Sequence, residues 1–389
     1  MRYAMKSSTT RILTTHAGRL DGPPEYRAMG RALCTDPAPD VAALQAAVRT
    51  AMVDVVRRQA AAGIDVISDG EIGKMGFGLA YYGRRLSGLA SREVKPGEPG
   101  WMSMRTGERL EFAEFYSELQ WPTPRERVVV TGAIKYIGQE EVQRDLERFR
   151  LSLAEAGVTP EDTFMCVLAP GWLEHFFYNE YYENDEDYLF ALADAIRHEY
   201  KAIVDAGFVL QIDDPALPDT YDMIVPTPSI EEYRKFAEVR VEAVNRALEG
   251  IPQERVRYHI CWGSWHGPHT HDLPLEHVID LMLRVRAGAY SVEAANPRHE
   301  HEWKLWKRVP LPPDALLIPG VVSHATNVVE HPEIVADRIV RFANVVGRER
   351  VIAGTDCGLG FRVHPQIAWA KLKALADGAA LASRQLWGE

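Results

Sequence analysis

Short apolar runs rich in β-branched residues alternate with amphipathic helical stretches along almost the whole chain, and few folds accommodate that order. Eight such runs can be counted, at 12–18, 64–71, 163–170, 208–215, 256–263, 289–294, 316–323 and 350–357. Eight parallel βα units close into a (β/α)8 TIM barrel, and 389 residues are enough for one such barrel over 1–389. The stretches between the runs carry helical spacing. Leu44, Val48, Met52, Val55 and Val56 follow Asp40 as a predicted N-cap and precede Gly63. Leu189, Leu192, Ile196 and Ile203 form a second stripe, and Leu275, Val278, Ile279 and Met282 a third. Ile334, Ile339, Phe342 and Val346 form a fourth before Gly347.

One strand-like run, 127–136, falls outside the count and within 72–161, which is read as an insertion between the second and third strands. That segment sets Trp101, Phe115, Tyr116 and Trp121 among Pro, Gly and charged residues. A lid over the barrel mouth and a plain surface hairpin both fit such a composition.

Charge and cysteine usage narrow the partners. Forty-four basic against fifty-five acidic residues give a net charge of -11, which opposes attraction to phosphate backbones and anionic lipid surfaces. Nucleic acid and membrane are therefore not expected as partners. The first fifteen residues contain no signal-like apolar run, and no stretch approaches the roughly 18 consecutive apolar residues of a membrane span. A cytoplasmic location is expected. Cys34, Cys166, Cys261 and Cys357 are too few and too scattered for a disulfide framework. Oligomeric state, a homo-oligomer included, is not written in any residue spacing.

The active site of such a barrel lies at the C-terminal ends of its strands. Those ends are rich in reactive groups: His259 and Cys261 on the fifth strand, Glu293 on the sixth, His324 after the seventh, and Asp356 with Cys357 on the eighth. An i, i+2 spacing places His259 and Cys261 on one face of a strand. With Glu293 and Cys357 they make a nitrogen, two thiolates and a carboxylate, a set suited to tetrahedral zinc. Zinc enzymes that hydrolyse usually present His and carboxylate ligands. Two thiolates better match a metal that binds a substrate thiol and keeps it deprotonated.

With these residues the chain resembles the catalytic barrel of the cobalamin-independent methionine synthase superfamily, over nearly its whole length. Thr14, Thr15, His16, Ala17 and Gly18 resemble the family's first-strand segment, and Asp69, Gly70 and Glu71 its second-strand acidic site. The run Gln211-Ile212-Asp213-Asp214-Pro215-Ala216-Leu217 resembles its QIDEPAL signature. The resemblance implies zinc held by His259, Cys261, Glu293 and Cys357. It implies a thiol-bearing substrate at Glu71 and Asp213, with His16 and Arg19 on the same first-strand segment, and catalytic roles for His324, as proton donor, and Asp213. Arg19 stands where the family motif has serine, and 124–130 replaces an Arg- and Pro-rich segment associated with the folate donor. Stretches 294–303 and 262–269 are similar to those of short single-barrel relatives, among them the epoxyalkane:coenzyme M transferases.

The expected function is zinc-dependent alkyl transfer to or from a small thiol, with a methyl donor or an epoxide as second partner. A metal-free lyase of the uroporphyrinogen decarboxylase type, a zinc hydrolase and a zinc-storing protein are the rivals. His266, His269 and His271 could hold a second metal but are expected to be solvated, and Arg298 and Lys135 are further candidates for meeting an anion.

Overall fold

Eight short parallel strands are what the apolar runs become in the computed structural model, which describes residues 5–32, 41–74, 77–98, 106–119 and 125–388. In chain order they are β1 (Leu13–Thr14), β2 (Val66–Ser68), β3 (Asp162–Leu168) and β4 (Val209–Asp213). The second half supplies β5 (Val256–Ile260), β6 (Ala289–Val292), β7 (Leu316–Val322) and β8 (Ile352–Thr355). They pair in the order β2-β3-β4-β5-β6-β7-β8-β1, each pair parallel. The ring is completed between β1 and β2, where Asp65 N–H donates to the Thr14 carbonyl at 3.1 Å and the Thr15 hydroxyl to the Val66 carbonyl at 3.0 Å. The architecture is a (β/α)8 barrel.

Apolar side chains fill the interior in two groups. Leu13, Ala289, Leu316, Ile318 and Ile352 make one, Val66, Phe164, Cys166 and Val209 the other, and Met5 packs on both. The outer ring consists of α1 (Val41–Ala61), α2 (Gln139–Ala156), α3 (Asp185–Asp205), α4 (Ile230–Ala247), α5 (Pro332–Val346) and α6 (Pro365–Trp387). Their starts are chemically marked. Asn184 caps α3 by accepting from Asp187 N–H, and Ser229 with Glu232 forms a capping box on α4. The stripe Leu189, Leu192, Ile196 and Ile203 on α3 is buried to 1% exposure or less.

The third stripe, Leu275 to Met282, is buried but does not run as one helix. It divides into a 3-10 turn (Leu275–His277) and a single turn (Ile279–Met282), separated by Val278 at φ -133°. Of 72–161, Gln139–Ala156 is the outer helix α2, packed on α1 and α3. The departure from the alternating plan thus covers 72–138. The strand expected at 127–136 forms over Glu126–Val130, pairing antiparallel with Leu89–Glu93 and parallel with Phe177–Asn179 in a separate three-stranded sheet. Helix Thr106–Glu111 docks on the loops after β4 and β5: Gly107 N–H donates to Asp222 Oδ1 at 2.9 Å, and Glu111 accepts from Thr270 and His271. Cys34, Asp40, Trp101, Trp121 and Pro124 lie outside the described residues.

β7 and β8 approach closely just below the rim. A Cβ added at Gly320 would stand 2.6 Å from Asp356 Cα and 2.7 Å from its nitrogen, atoms of a backbone that cannot swing aside. Gly320→Ala is therefore expected to lower unfolding free energy by about 1–3 kcal/mol, the usual cost of overpacking, in urea titrations. An unchanged midpoint would show that the two strands can separate freely.

Candidate metal centre

Leaving the ladder at Ile260, the fifth strand carries His259 and Cys261 into the barrel mouth, and Cys357 arrives two residues past β8. The donor atoms of these three residues lie within 4.8 Å of one another. Both His259 and Cys261 are buried, at 2% and 3% exposure. His259 Nδ1 is 3.0 Å from Ser291 Oγ on β6, which leaves Nε2 as a wholly buried nitrogen with no partner. A buried polar atom in that condition is costly unless something meets it.

The two sulfurs stand 3.6 Å apart, with the Cys261 thiol directed at Cys357, and Ser264 Oγ donates to the Cys357 sulfur at 3.0 Å. The Cys261 thiol, with the nearby His259 and His324, holds Cys357 well below the usual thiol range, while Cys261 is pushed up. Burial works against a charge on His259, but the Cys357 thiolate outweighs it and raises the imidazole. The sulfur separation is near the ~3.8 Å edge of a tetrahedron with metal–sulfur bonds of ~2.3 Å. An orphaned nitrogen facing two soft sulfurs fits zinc.

Glu293, the fourth expected ligand, is adjacent and held by hydrogen bonds of its own. Its carboxylate accepts from Trp262 N–H at 3.1 Å and Asn296 Nδ2 at 2.9 Å, and it groups with His324 and Asp356 within 4.8 Å. Its charge still reaches Cys261, whose pKa it helps to raise. His324 is wholly buried beside Cys357 and off the cavity wall; neither ring nitrogen has a partner, and burial lowers its pKa. Asp356 Oδ1 accepts from both Ala294 and Ala295 N–H at 2.7 Å, leaving Oδ2 bare. Burial and Glu293 push that carboxyl up to about 8. The sequence shows Asp356 only as the neighbour of Cys357.

A cavity of roughly 960 Å³ opens above the cluster, with His259, Cys261 and Cys357 in its wall beside Trp172, Trp265, Met223 and Phe361. Asp213 and Glu71 line the same cavity. Asp213 is register-paired with His259, and its carboxylate lies within 4.8 Å of those of Glu71 and of the Cys166 sulfur. Burial, countered by His259 and assisted by Glu71, pushes Asp213 up to about 7. Arg19 also lines the cavity, its guanidinium 4.5 Å over the Phe361 ring. His16 does not. It is buried with Nε2 2.7 Å from Gln59 Oε1 and Nδ1 accepting from Gly18 N–H, so it anchors the loop after β1.

A smaller recess of about 20 Å³ adjoins the cavity, sharing Arg19, Glu71, Leu168 and Asp213 with it and adding Lys74, Tyr81, Tyr82 and Cys166. Lys74 is missing from the sequence reading; its one signal is the spacing of three from Glu71. The histidines after Cys261 do not converge. His266 is exposed, His271 contacts Glu111, and His269 is buried with Asp272 at 2.6 Å. Asp272 also meets His299 at 2.9 Å, and His299 stacks on Trp262 at 3.7 Å, so these groups clamp the loop that follows Cys261. Arg298 donates to the Thr270 carbonyl and Lys135 is exposed in the small sheet's loop, both away from the cavity lining.

Among the described residues, no helix is long and apolar enough to cross a membrane. Comparison with known proteins accords with the barrel and its rim. The chain is 26% identical over 348 residues to a methionine synthase of Saccharolobus solfataricus, covering 88% of this chain and 86% of that one. It is 25% identical over 406 residues to the 2-hydroxypropyl-CoM lyase of Xanthobacter autotrophicus, covering 96% of both. The fold matches that of a B12-independent methionine synthase from Shewanella sp. W3-18-1, solved with selenomethionine, at a TM-score of 0.72 over 97% of this chain and all of that one, with 20% identity. Residues 177–380 match the family described as the catalytic domain of cobalamin-independent synthase. That span holds β4 to β8, every residue of the thiol and histidine cluster, and Asp213, and the chain belongs to this family.

Proposed function

We propose that this chain moves an alkyl group between a carbon donor and a small thiol at a zinc site made by His259, Cys261 and Cys357, with Glu293 available beside them. The observation that carries the reading is the buried, partnerless His259 Nε2 facing two sulfurs in the wall of a large cavity. Zinc bound there would act as a Lewis acid that lowers the pKa of a substrate thiol toward neutrality. The similar proteins support a thiol as one partner, since one is named a methionine synthase and the other a 2-hydroxypropyl-CoM lyase. They match this chain about equally, so the second partner is a methyl donor or an epoxide.

The protein's own groups supply the rest. Glu71 and Asp213 hold the polar end of the thiol, and Asp213, poised near neutrality, adjusts its charge to what it holds. The substrate sulfur loses its proton, its lone pair forms the new C–S bond, and the donor's C–N or C–O bond breaks toward the leaving atom. That atom needs a proton. His324, uncharged and with both nitrogens unsatisfied beside Cys357, takes up the proton released from sulfur and returns it to the leaving atom once movement of the residues covering it opens it to the cavity. Trp172, Trp265 and Met223 form an apolar wall that limits competing water. Helix Thr106–Glu111, docked on the loops after β4 and β5, is placed to act as part of a lid.

Purified protein should contain stoichiometric zinc by elemental analysis, and Cys261→Ala or Cys357→Ser should lose it with alkyl transfer while the circular dichroism spectrum is kept. Full activity in zinc-free Cys357→Ser would end the proposal. His324→Gln should keep its zinc and its thiol affinity while kcat drops about 10²–10⁴-fold; a change confined to KM would remove His324 from the proton path.

Asp213 gives a pH-dependent test in metal-stripped protein. Its folded value of about 7 lies above the ordinary carboxylate value of 3.8, so between those pH values the folded state holds a proton that the unfolded chain has released. Stability from this group therefore falls as pH rises from about 4 to 7. Asp213→Asn should match the parent near pH 4 and exceed it at pH 8, by on the order of 2 kcal/mol. Equal stability at both pH values would mean that Asp213 ionises normally.

A further inference from the structure

No hydrogen bond holds the His324 side chain. Its ring is fully buried and neither nitrogen has a partner among the described residues, so its aim is set by the backbone that carries it. That backbone opens the loop 323–330, which follows β7. The tip of the loop does not anchor it, since Val328 and Val329 are 69% and 41% exposed. Glu330 does. Its Oε1 accepts from Ser323 N–H at 2.8 Å, so one carboxylate joins the end of the loop to the residue immediately before His324.

Lys371 ties this closed turn to the outer ring. It lies on α6, is fully buried, and donates to the two oxygens of Glu330 at 3.0 and 2.9 Å and to the Val328 carbonyl at 2.5 Å. Three acceptors thus meet the three protons of the ammonium. Among the described residues these are the only hydrogen bonds from 324–330 to another element. A buried ion pair contributes little net stability, because desolvating both charges offsets their attraction, and an apolar pair of the same volume often does as well. What a fully matched pair supplies is direction: it admits one arrangement of the groups around it.

We infer that Lys371 and Glu330 form a latch that positions His324, holding the backbone beside it so that the imidazole stays against Cys357 in one orientation. This deepens the alkyl-transfer reading above and rests on the proton path given there to His324. Neither latch residue lines the large cavity, so the pair acts through the loop alone. The other side of His324 is also fixed. Asp356 N–H donates to the Val322 carbonyl at 2.9 Å, two residues before the histidine, and so fastens the end of β7 to the strand that delivers Cys357. His324 is thus carried between two held points, Val322 from the barrel side and Glu330 from the helix side. Loss of one lets the ring drift, and a displacement of about 1 Å in a transfer group costs on the order of 10²-fold in rate.

The test compares Lys371→Met with the parent, since methionine keeps the apolar stem and removes the charge. Homocysteine and 2-mercaptoethanesulfonate serve as thiols, 5-methyltetrahydrofolate and 1,2-epoxypropane as donors, in the pairing that the zinc-loaded parent turns over fastest. The kcat should fall about 10- to 100-fold, with zinc content and the KM for the thiol within about twofold of the parent. Amide hydrogen exchange over 323–330 should quicken, with or without zinc. In a His324→Gln background the same substitution should cost less than about twofold, because the residue it positions is gone. Glu330→Gln, which keeps an acceptor for Ser323 and breaks the ion pair, serves if the methionine variant does not fold. Unchanged kcat or exchange, an equal loss in the His324→Gln background, or a parallel fall in zinc content overturns the latch and leaves alkyl transfer standing. Full kcat in His324→Gln removes the proton path and the latch together. A parent that turns over none of these pairings ends the alkyl-transfer reading, and the latch falls with it.

Discussion

Unsatisfied polar atoms gathered at one rim of the barrel dominate this molecule. His259 Nε2, both nitrogens of His324 and Asp356 Oδ2 are all buried and partnerless, and all lie near the Cys261–Cys357 pair. A protein that buries so many polar atoms in one place sacrifices stability there, and the sacrifice makes sense where a ligand meets them. The surrounding groups do not relieve it. Ser291 takes the other nitrogen of His259, Trp262 and Asn296 take Glu293, and Ala294 and Ala295 take one oxygen of Asp356. For His259 and Asp356 each contact fixes one end of the side chain and leaves the other end bare beside the cysteines.

Parallel register makes this focus possible. Asp213, His259 and Ser291 occupy consecutive strands at one level of the ladder, so their side chains meet without any loop having to place them. Cys357 comes from the far side of β6 and β7, and the close approach of Gly320 to Asp356 brings β8 in. Asp356 then joins the end of β8 to the loop after β6 that carries Glu293. With Trp262 N–H bonded to Glu293, the ends of β5, β6 and β8 are thereby locked to one another by backbone-directed bonds, which tolerate less movement than contacts between long side chains.

Much of this was legible in the chain because period and position carry it. The eight strands announce themselves by β-branched runs, and residues at their ends follow from the rule that barrels work at that face. The i, i+2 pair His259 and Cys261 needed no further information to be placed on one face. Other features depend on contacts between distant segments, to which periodicity is blind. Glu293 has the right position, and the bonds that orient it, from Trp262 and Asn296, are a fact of local hydrogen bonding. His16 reads as a mouth residue until Gln59, 43 residues away, claims its nitrogen. The stripe at 275–282 has helical spacing, but Val278 leaves helical geometry and divides it. Lys74 sits in a segment with no diagnostic pattern, and only packing against β3 shows that it is buried.

On the alkyl-transfer reading proposed above, the geometry separates two recognition problems. The small recess lies toward β2 and β3, is lined by charges, and has room for little more than one polar group. The large cavity is walled by Trp172, Trp265, Met223 and Phe361 and is bounded by the loops after β1, β2, β3, β4, β5 and β8, the longest stretches of it by those after β1, β5 and β8. A thiol can therefore be held through its head group by residues close to the strand ends, where the barrel is rigid, while the carbon donor meets longer loops. Such a division explains how proteins named as acting on different carbon partners can share one barrel with this chain at similar identity. Change in the loops alters the donor, and the cluster of His259, Cys261 and Cys357 is left where the ladder puts it.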